Sequence, residues 1–227
     1  LSFTLLQREL AEATGTALLL GAVVGSGIMA ERLAGGNAAL ALLVNALVTA
    51  AALVALILTF GPVSGAHFNP AVTLFMAIQG YLARAMVLPY ILAQLAGGVF
   101  GVWVAHFMFD VDILARGFQE RSGAGLWAGE VVATAGLLLT IWATVRTRPA
   151  AVPWAVSSWI LAACWFTSST AFANPAATLA RSFTPTFSGI ALRSVPAFIA
   201  AQVAGVGVAA ALAAALKPAS ISPGDDT

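Results

Sequence analysis

The sequence predicts an all-α membrane protein in which six transmembrane helices and two re-entrant half-helices form an inverted 3+3 repeat. Three observations carry this prediction. Of 227 residues, 60% are hydrophobic and only 8% charged, against roughly 25% charged in soluble proteins, so a soluble globule of this size could not cover itself with polar groups. Apolar runs such as "AALALLVNALVTAAALVALILTF" (38–60) exceed the ~20 residues that cross a bilayer. The triplet Asn-Pro-Ala occurs twice, at 69–71 and 174–176, each time in a stretch too apolar for a loop and too short to cross.

The spans read, in order, as 8–31, 37–60, 84–109, 127–145, 153–170 and 194–216. Charge collects in the connections "DVDILARGFQERSG" (110–123) and "RTRPA" (146–150). The halves repeat each other: Glu12 and Thr16 correspond to Glu130 and Thr134, the triplets correspond, and "YILAQLAGG" (90–98) corresponds to "FIAAQVAGV" (198–206). An odd number of spans per half inverts the second against the first. The first repeat therefore takes 1–109, the connecting loop 110–126, the second repeat 127–217, and a polar tail 218–227. Gly21 with Gly25 and Gly97 with Gly101 provide small faces for close helix approach.

Each triplet opens a helix. Asparagine caps the first-turn N–H groups, and proline at the first helical position has no N–H to leave unsatisfied. The half-helices are expected at 69–79 and 174–183, ~16 and ~15 Å long, each about half of the ~30 Å hydrocarbon core. End to end they complete one spanning element, with Asn69 and Asn174 facing a common space. The unwound backbone before each can exist at that depth only beside a wet cavity or buried in protein. This gives a lane of carbonyl acceptors from Gly65, Ala66 and His67 on one side and Thr170 and Phe172 on the other. Two converging helix N-termini repel cations and interrupt a proton wire. Neutral hydrogen-bonding molecules are expected to pass while ions and protons are not.

With "SGAHFNPAVT" (64–73), "NPA" (174–176), Glu12, Glu130, Gln94 and Gln202 in place, nearly the whole chain resembles the major intrinsic protein family, the aquaporins and aquaglyceroporins. The resemblance implies homotetramers with one pore per subunit, a multi-pass cell-membrane protein, and both termini in the cytoplasm. Charge alone does not orient the chain. Arg8, Arg84, Arg146, Arg148 and Lys217 fall on one side, Arg32, Arg116, Arg121, Arg181 and Arg193 on the other, a tie under the positive-inside rule. The resemblance gives Glu12 and Glu130 a structural role as acceptors for the half-helix loops, and gives His67 a pore-lining carbonyl.

By the same resemblance, counting from the asparagines, the narrowest part of the pore takes Thr49, Ala162, Ala171 and Ala177. Water-selective members carry an aromatic, a histidine and an arginine there, and this chain has none of these. Four small side chains imply a wide constriction. Members that look like this one are associated with uncharged metalloid hydroxides such as arsenous acid, alongside glycerol, urea and water. Arg181 lies one turn beyond Ala177 on the same face. It either reaches back to supply the missing charge, or it snorkels to water or ties down the outer loop at the interface, and both readings stay open.

An inverted-repeat secondary transporter of a small solute is the competing class, but the breaks hold asparagine and no acid. Net charge of +1 gives no basic patch for nucleic acid, and the partners expected are the lipid bilayer and small neutral solutes. No cofactor, metal cluster or nucleophile with a partner base is legible, so the chain does not read as an enzyme. Cys164, the one cysteine, excludes an internal disulfide and reads as a small packing residue. No cleavable signal peptide is evident.

Overall fold

The computed structural model describes residues 2–217. The expected tail at 218–227 lies outside the described residues. The chain forms eight helices of four residues or more: α1 (Leu5–Leu33), α2 (Ala38–Ser64), α3 (Pro70–Ile78), α4 (Val87–Met108), α5 (Ala124–Thr147), α6 (Val152–Phe166), α7 (Pro175–Ala180) and α8 (Val195–Ala215). Six segments are long and apolar enough to cross a membrane, and the described residues contain no strand.

The polarity of the molecule is inverted relative to a soluble protein. Glu12, Gln94, Glu130 and Gln202 are fully buried, whereas Leu88, Phe100 and Phe107 are exposed at 64%, 59% and 77%. In water such a surface would be unstable, whereas lipid covers it at no cost.

Helix boundaries follow local chemistry. Thr4 starts α1 with a capping box, accepting from the Gln7 N–H while the Gln7 side chain accepts from the Thr4 N–H. Asn37 caps α2. That helix runs four residues past the expected end at 60, through Pro62, and stops at Gly65, whose φ of 92° only glycine adopts freely. The fifth span ends earlier than expected, at Phe166 rather than 170, because Thr167 turns extended. The third span is preceded by a short 3-10 turn at Arg84–Met86.

The long helices pack in two groups, and α1 meets α4 through small residues. α1 lies against α2 and α4, α5 against α6 and α8, and α2 joins the two groups by packing on α6. A Cβ built on Gly97 would sit 2.1 Å from the Ala13 carbonyl oxygen, and one on Gly101 the same distance from that of Ala17. Backbones this close exclude any side chain, and this proximity maximises the dispersion contact on which helix association in lipid depends.

Long-range hydrogen bonds fix the helix ends. Arg32, in the last turn of α1, donates to the Phe109 carbonyl at the end of α4, so these two C-termini share a face. Tyr90 Oη, near the start of α4, donates to the Ser64 carbonyl at the end of α2.

Candidate functional site: a cavity along α2 closed by two half-helices

The half-helices begin as the sequence predicts. Asn69 Oδ1 accepts from the Ala71 N–H, and Asn174 Oδ1 from the N–H groups of Ala176 and Ala177. α3 spans nine residues, while α7 keeps only six α-helical residues before a 3-10 turn at Arg181–Phe183.

Both re-entrant loops use one backbone solution. Positions four, three and one before the asparagine have positive φ in each: Gly65 92°, Ala66 51° and Phe68 51° in the first, Thr170 60°, Ala171 48° and Ala173 46° in the second. For residues bearing a Cβ, each such conformation costs about 1–3 kcal/mol and needs support from its surroundings. The support is a buried carboxylate. Glu12 Oε1 accepts from Ser64 Oγ and the His67 N–H, and its Oε2 from the Phe68 N–H and Gln94 Nε2. Glu130 Oε1 accepts from the Phe172 N–H, and its Oε2 from the Ala173 N–H and Gln202 Nε2. Gln94 and Gln202 each bind a threonine hydroxyl as well, Thr73 and Thr178. Bonds to a charged acceptor are roughly twice as strong as neutral ones, which offsets the strain. The parallel stops at the threonines beside the acids: Thr16 Oγ1 donates to the Glu12 carbonyl, while Thr134 Oγ1 has no described partner.

The two asparagines meet across the halves. Asn69 Nδ2 donates to the Ala173 carbonyl at 2.8 Å and Asn174 Nδ2 to the Phe68 carbonyl at 2.9 Å. An amide nitrogen carries two hydrogens, so each asparagine keeps one N–H for the space between them. Both residues line a cavity of about 340 Å³.

This cavity follows one face of α2 through Ala38, Leu42, Asn45, Thr49, Leu53 and Ile57. The nineteen steps from Ala38 to Ile57, at about 1.5 Å each, make about 28 Å, close to the full hydrocarbon thickness. The wall is mostly apolar, with Leu20, Val23, Val156 and Ile160 among its members, opposed by the two loops and the asparagines. Among the described residues no donor reaches the carbonyls of residues 65–67 or 170–172. Of these residues, His67, Thr170, Ala171 and Phe172 line the cavity, and a buried carbonyl without a partner is costly.

The expected site residues fall into place unevenly. His67, Thr170, Ala171, Phe172, Thr49 and Ala177 line the cavity. Gly65 is exposed and Ala66 is buried, and neither forms part of the cavity wall. The lane on that side therefore starts at His67, whose ring is held by Thr73 Oγ1 and by an edge contact with Tyr90. Ala162 is corrected: it is exposed on the outer face of α6, and the cavity is lined by Val156, Ile160 and Cys164 from that helix. Two residues from Ala162 to Cys164 rotate the side chain by about 200° around the helix. Cys164, read from sequence as packing, thus faces the space assigned to Ala162. Pro70, Ala71, Pro175 and Ala176, which open α3 and α7, are buried.

Arg181 lines the cavity and is 8% exposed, so it does not snorkel to water, whereas its bond to the Ser188 carbonyl does tie down the segment after α7. Its guanidinium carbon sits 3.4 Å from the centroid of the Phe172 ring, and Nε donates to the Ser188 carbonyl. Arg121, which sequence reading left in the connecting loop, lines the same cavity 4.9 Å from the same ring, with Nε donating to the Gly189 carbonyl at 3.2 Å. The loop is held there by several bonds: Gly117 N–H to the Ser182 carbonyl, Gln119 Nε2 to the carbonyls of Pro185 and Thr186, and Arg121 N–H to Ser194 Oγ. Burial lowers the pKa of Arg121, and the Glu130 carboxylate opposes this. A guanidinium nevertheless stays charged.

Fold and site together define a polytopic membrane protein with a cavity about as long as a membrane is thick, lined in part by the two asparagines that open the half-helices. A family-level sequence model described as major intrinsic protein matches residues 1–150. The aquaglyceroporin AqpS of Rhizobium meliloti (strain 1021) is 50% identical over 210 residues, covering 92% of this chain and 90% of that protein. The glycerol uptake facilitator protein of Streptococcus pneumoniae (strain ATCC BAA-255 / R6) is 40% identical over 95 residues, 37% of this chain and 41% of that one. In structure, the aquaglyceroporin from Plasmodium falciparum superposes with a TM-score of 0.68 at 19% identity, covering 92% and 94% of the two chains, a likeness of fold. The chain belongs to the major intrinsic protein family.

Proposed function

We infer that this chain is a passive channel for water and small uncharged solutes such as glycerol, excluding ions and protons. The carrying observation is the pair of asparagine amides, each with one N–H left over, set within an apolar cavity that runs about 28 Å along α2. A neutral hydroxylic solute accepts from the amides and donates to the free carbonyls as it passes. An ion must instead shed its water beside Leu20, Val23 and Leu53, with no compensating partner.

The finer assignment is to solutes larger than water, including metalloid hydroxides such as arsenous acid. It rests on small side chains at Thr49, Ala171 and Ala177, with Cys164 taking the place expected of Ala162. Arg181, one turn beyond Ala177, supplies the positive charge at this constriction in our reading. The 50% identity to a protein named an aquaglyceroporin supports the same direction.

A coupled transporter fits less well. Both membrane acids spend their oxygens on main-chain N–H groups and glutamines, which leaves no acidic coupling site at the breaks. We further propose a homotetramer in the cell membrane with both termini cytoplasmic, as the family resemblance implies. Stopped-flow light scattering on proteoliposomes tests the function. Glycerol and arsenous acid are expected to cross without saturation and without a sodium or proton gradient. Rapid water flow with no response to the larger solutes would overturn the wide-constriction reading, and gradient dependence would overturn the channel.

A further inference from the structure

Two arginines share one aromatic ring inside the cavity, and their charges are not matched by acids. Arg181 is more than nine-tenths buried. The carboxylates nearby are engaged: Glu130 accepts three hydrogen bonds from Phe172, Ala173 and Gln202, and Glu120 pairs with Arg193. Counting Arg121, Arg181 and Glu130 leaves a surplus of one positive charge in a low-dielectric setting, where it is felt strongly.

The guanidinium geometry leaves the right atoms open. Each arginine spends its Nε on a backbone carbonyl, Ser188 for Arg181 and Gly189 for Arg121. Both guanidinium carbons lie over the Phe172 ring, at 4.9 and 3.4 Å from its centroid, and the ring, which offers a cation its electron-rich face, takes none of the N–H groups as a conventional acceptor. Among the described residues, no acceptor takes a hydrogen from the terminal nitrogens of either arginine. Both side chains line the cavity; Asn45 and Thr49 of α2 line it too, but their donor hydrogens go to the Val23 carbonyl, Ser26 Oγ and the Asn45 carbonyl, so the two guanidinium groups carry the site.

We propose that Arg121 and Arg181 form a binding site for a small soluble oxyanion at one end of the cavity, and that its occupancy blocks the flow of neutral solutes. Paired forks of in-plane donors suit the oxygens of a phosphate-, sulfate- or carboxylate-class ion. The anion binds without passing, because the path beyond lies between Leu20, Leu53, Val72 and Ile160 and offers it no hydration. The connecting loop thereby regulates the pore that the half-helices build. The block rests on the channel reading of the preceding section, whereas the binding does not.

Two measurements separate these. Thermal unfolding of the detergent-solubilised protein is followed while inorganic phosphate or sulfate replaces chloride at constant ionic strength. Stopped-flow glycerol uptake is followed in proteoliposomes with the anion on one side or the other. Phosphate is expected to raise the unfolding temperature and to slow glycerol uptake from one face only. Arg121→Ala and Arg181→Ala are expected to weaken its apparent affinity about tenfold or more, with Arg121→Lys retaining part of it. Arg193→Ala, which removes an exposed cation paired with Glu120, is expected to leave the phosphate effect unchanged.

Phosphate that neither stabilises the wild-type protein nor slows glycerol sinks the proposal, as does equal sensitivity in Arg121→Ala and wild type. An equal loss in Arg193→Ala would reduce the effect to diffuse surface charge and sink it too. Stabilisation by phosphate that Arg121→Ala loses, in a protein that conducts no solute in any buffer, would leave the anion site standing and overturn the channel instead, since phosphate also stabilises proteins without binding a site.

Discussion

Removing the Glu130 carboxylate tests how the second loop holds its shape. In Glu130→Ala, the Phe172 N–H, the Ala173 N–H and Gln202 Nε2 all lose their acceptor in a fully buried place. At about 1–3 kcal/mol for each stranded donor, the three together cost about 3–9 kcal/mol, against a total stability of about 5–15 kcal/mol for a typical domain. Glu130→Gln keeps one acceptor. Placed at the Oε2 position, it retains Ala173 and Gln202 and strands only the Phe172 N–H, for about 1–3 kcal/mol. The expected order of unfolding temperature in detergent is therefore wild type, then Glu130→Gln, then Glu130→Ala. Glycerol flux per folded molecule should fall in the same order, because residues 170–173 lose the bonds that keep three of them at positive φ. A Glu130→Ala protein that unfolds at the wild-type temperature and conducts normally would refute the claim that this carboxylate maintains the loop.

Three other outcomes follow from the geometry. Gly97→Ala and Gly101→Ala each place a Cβ 2.1 Å from a carbonyl oxygen of α1; a loss of about 1–3 kcal/mol is expected for this overpacking, read as a lower unfolding temperature. Gly207→Ala, with nothing within 4 Å of the added carbon, should match wild type in the same assay. On α6, Cys164→Trp should abolish glycerol flux while Ala162→Trp leaves it near wild type in proteoliposomes; the reverse would restore Ala162 to the pore. Asn69→Asp replaces the donor to the Ala173 carbonyl with a second acceptor, and a large drop in glycerol flux is expected, measured beside Asn174→Asp as its counterpart.

Much of this architecture was legible in the sequence because its strongest signals are local. Asn-Pro at the start of a helix is a rule about one turn of backbone, and both half-helices begin where it places them. Span lengths follow from apolar runs, with the largest errors where a boundary has a non-hydrophobic cause: Pro62 sits inside α2 without ending it, and Thr167 ends α6 early. Ala162 was misplaced for a different reason. Counting twelve residues back from Asn174 crosses the irregular stretch 167–173, where no fixed angle per residue carries the face of α6 forward. Arg121 left no signal to find. It stands in "FQERSG" much as Arg116 stands in its own surroundings, and tertiary bonds from Gly117, Gln119 and Arg121 to residues 182–194 bring it to the cavity.

The crossed asparagine bonds bear on how the protein is made. Asn69 finds its acceptor 104 residues further along the chain, at Ala173. At a synthesis rate of roughly 5–20 residues per second, the partner emerges roughly 5–20 s after Asn69 itself. During that interval the first half sits in the membrane with a polar loop whose amide has nothing to hold. A nascent chain at that stage depends on water or the insertion machinery to shelter Asn69, and truncation anywhere before residue 173 leaves it permanently unmatched. The centre of the channel is thus completed at one moment, when the second loop arrives.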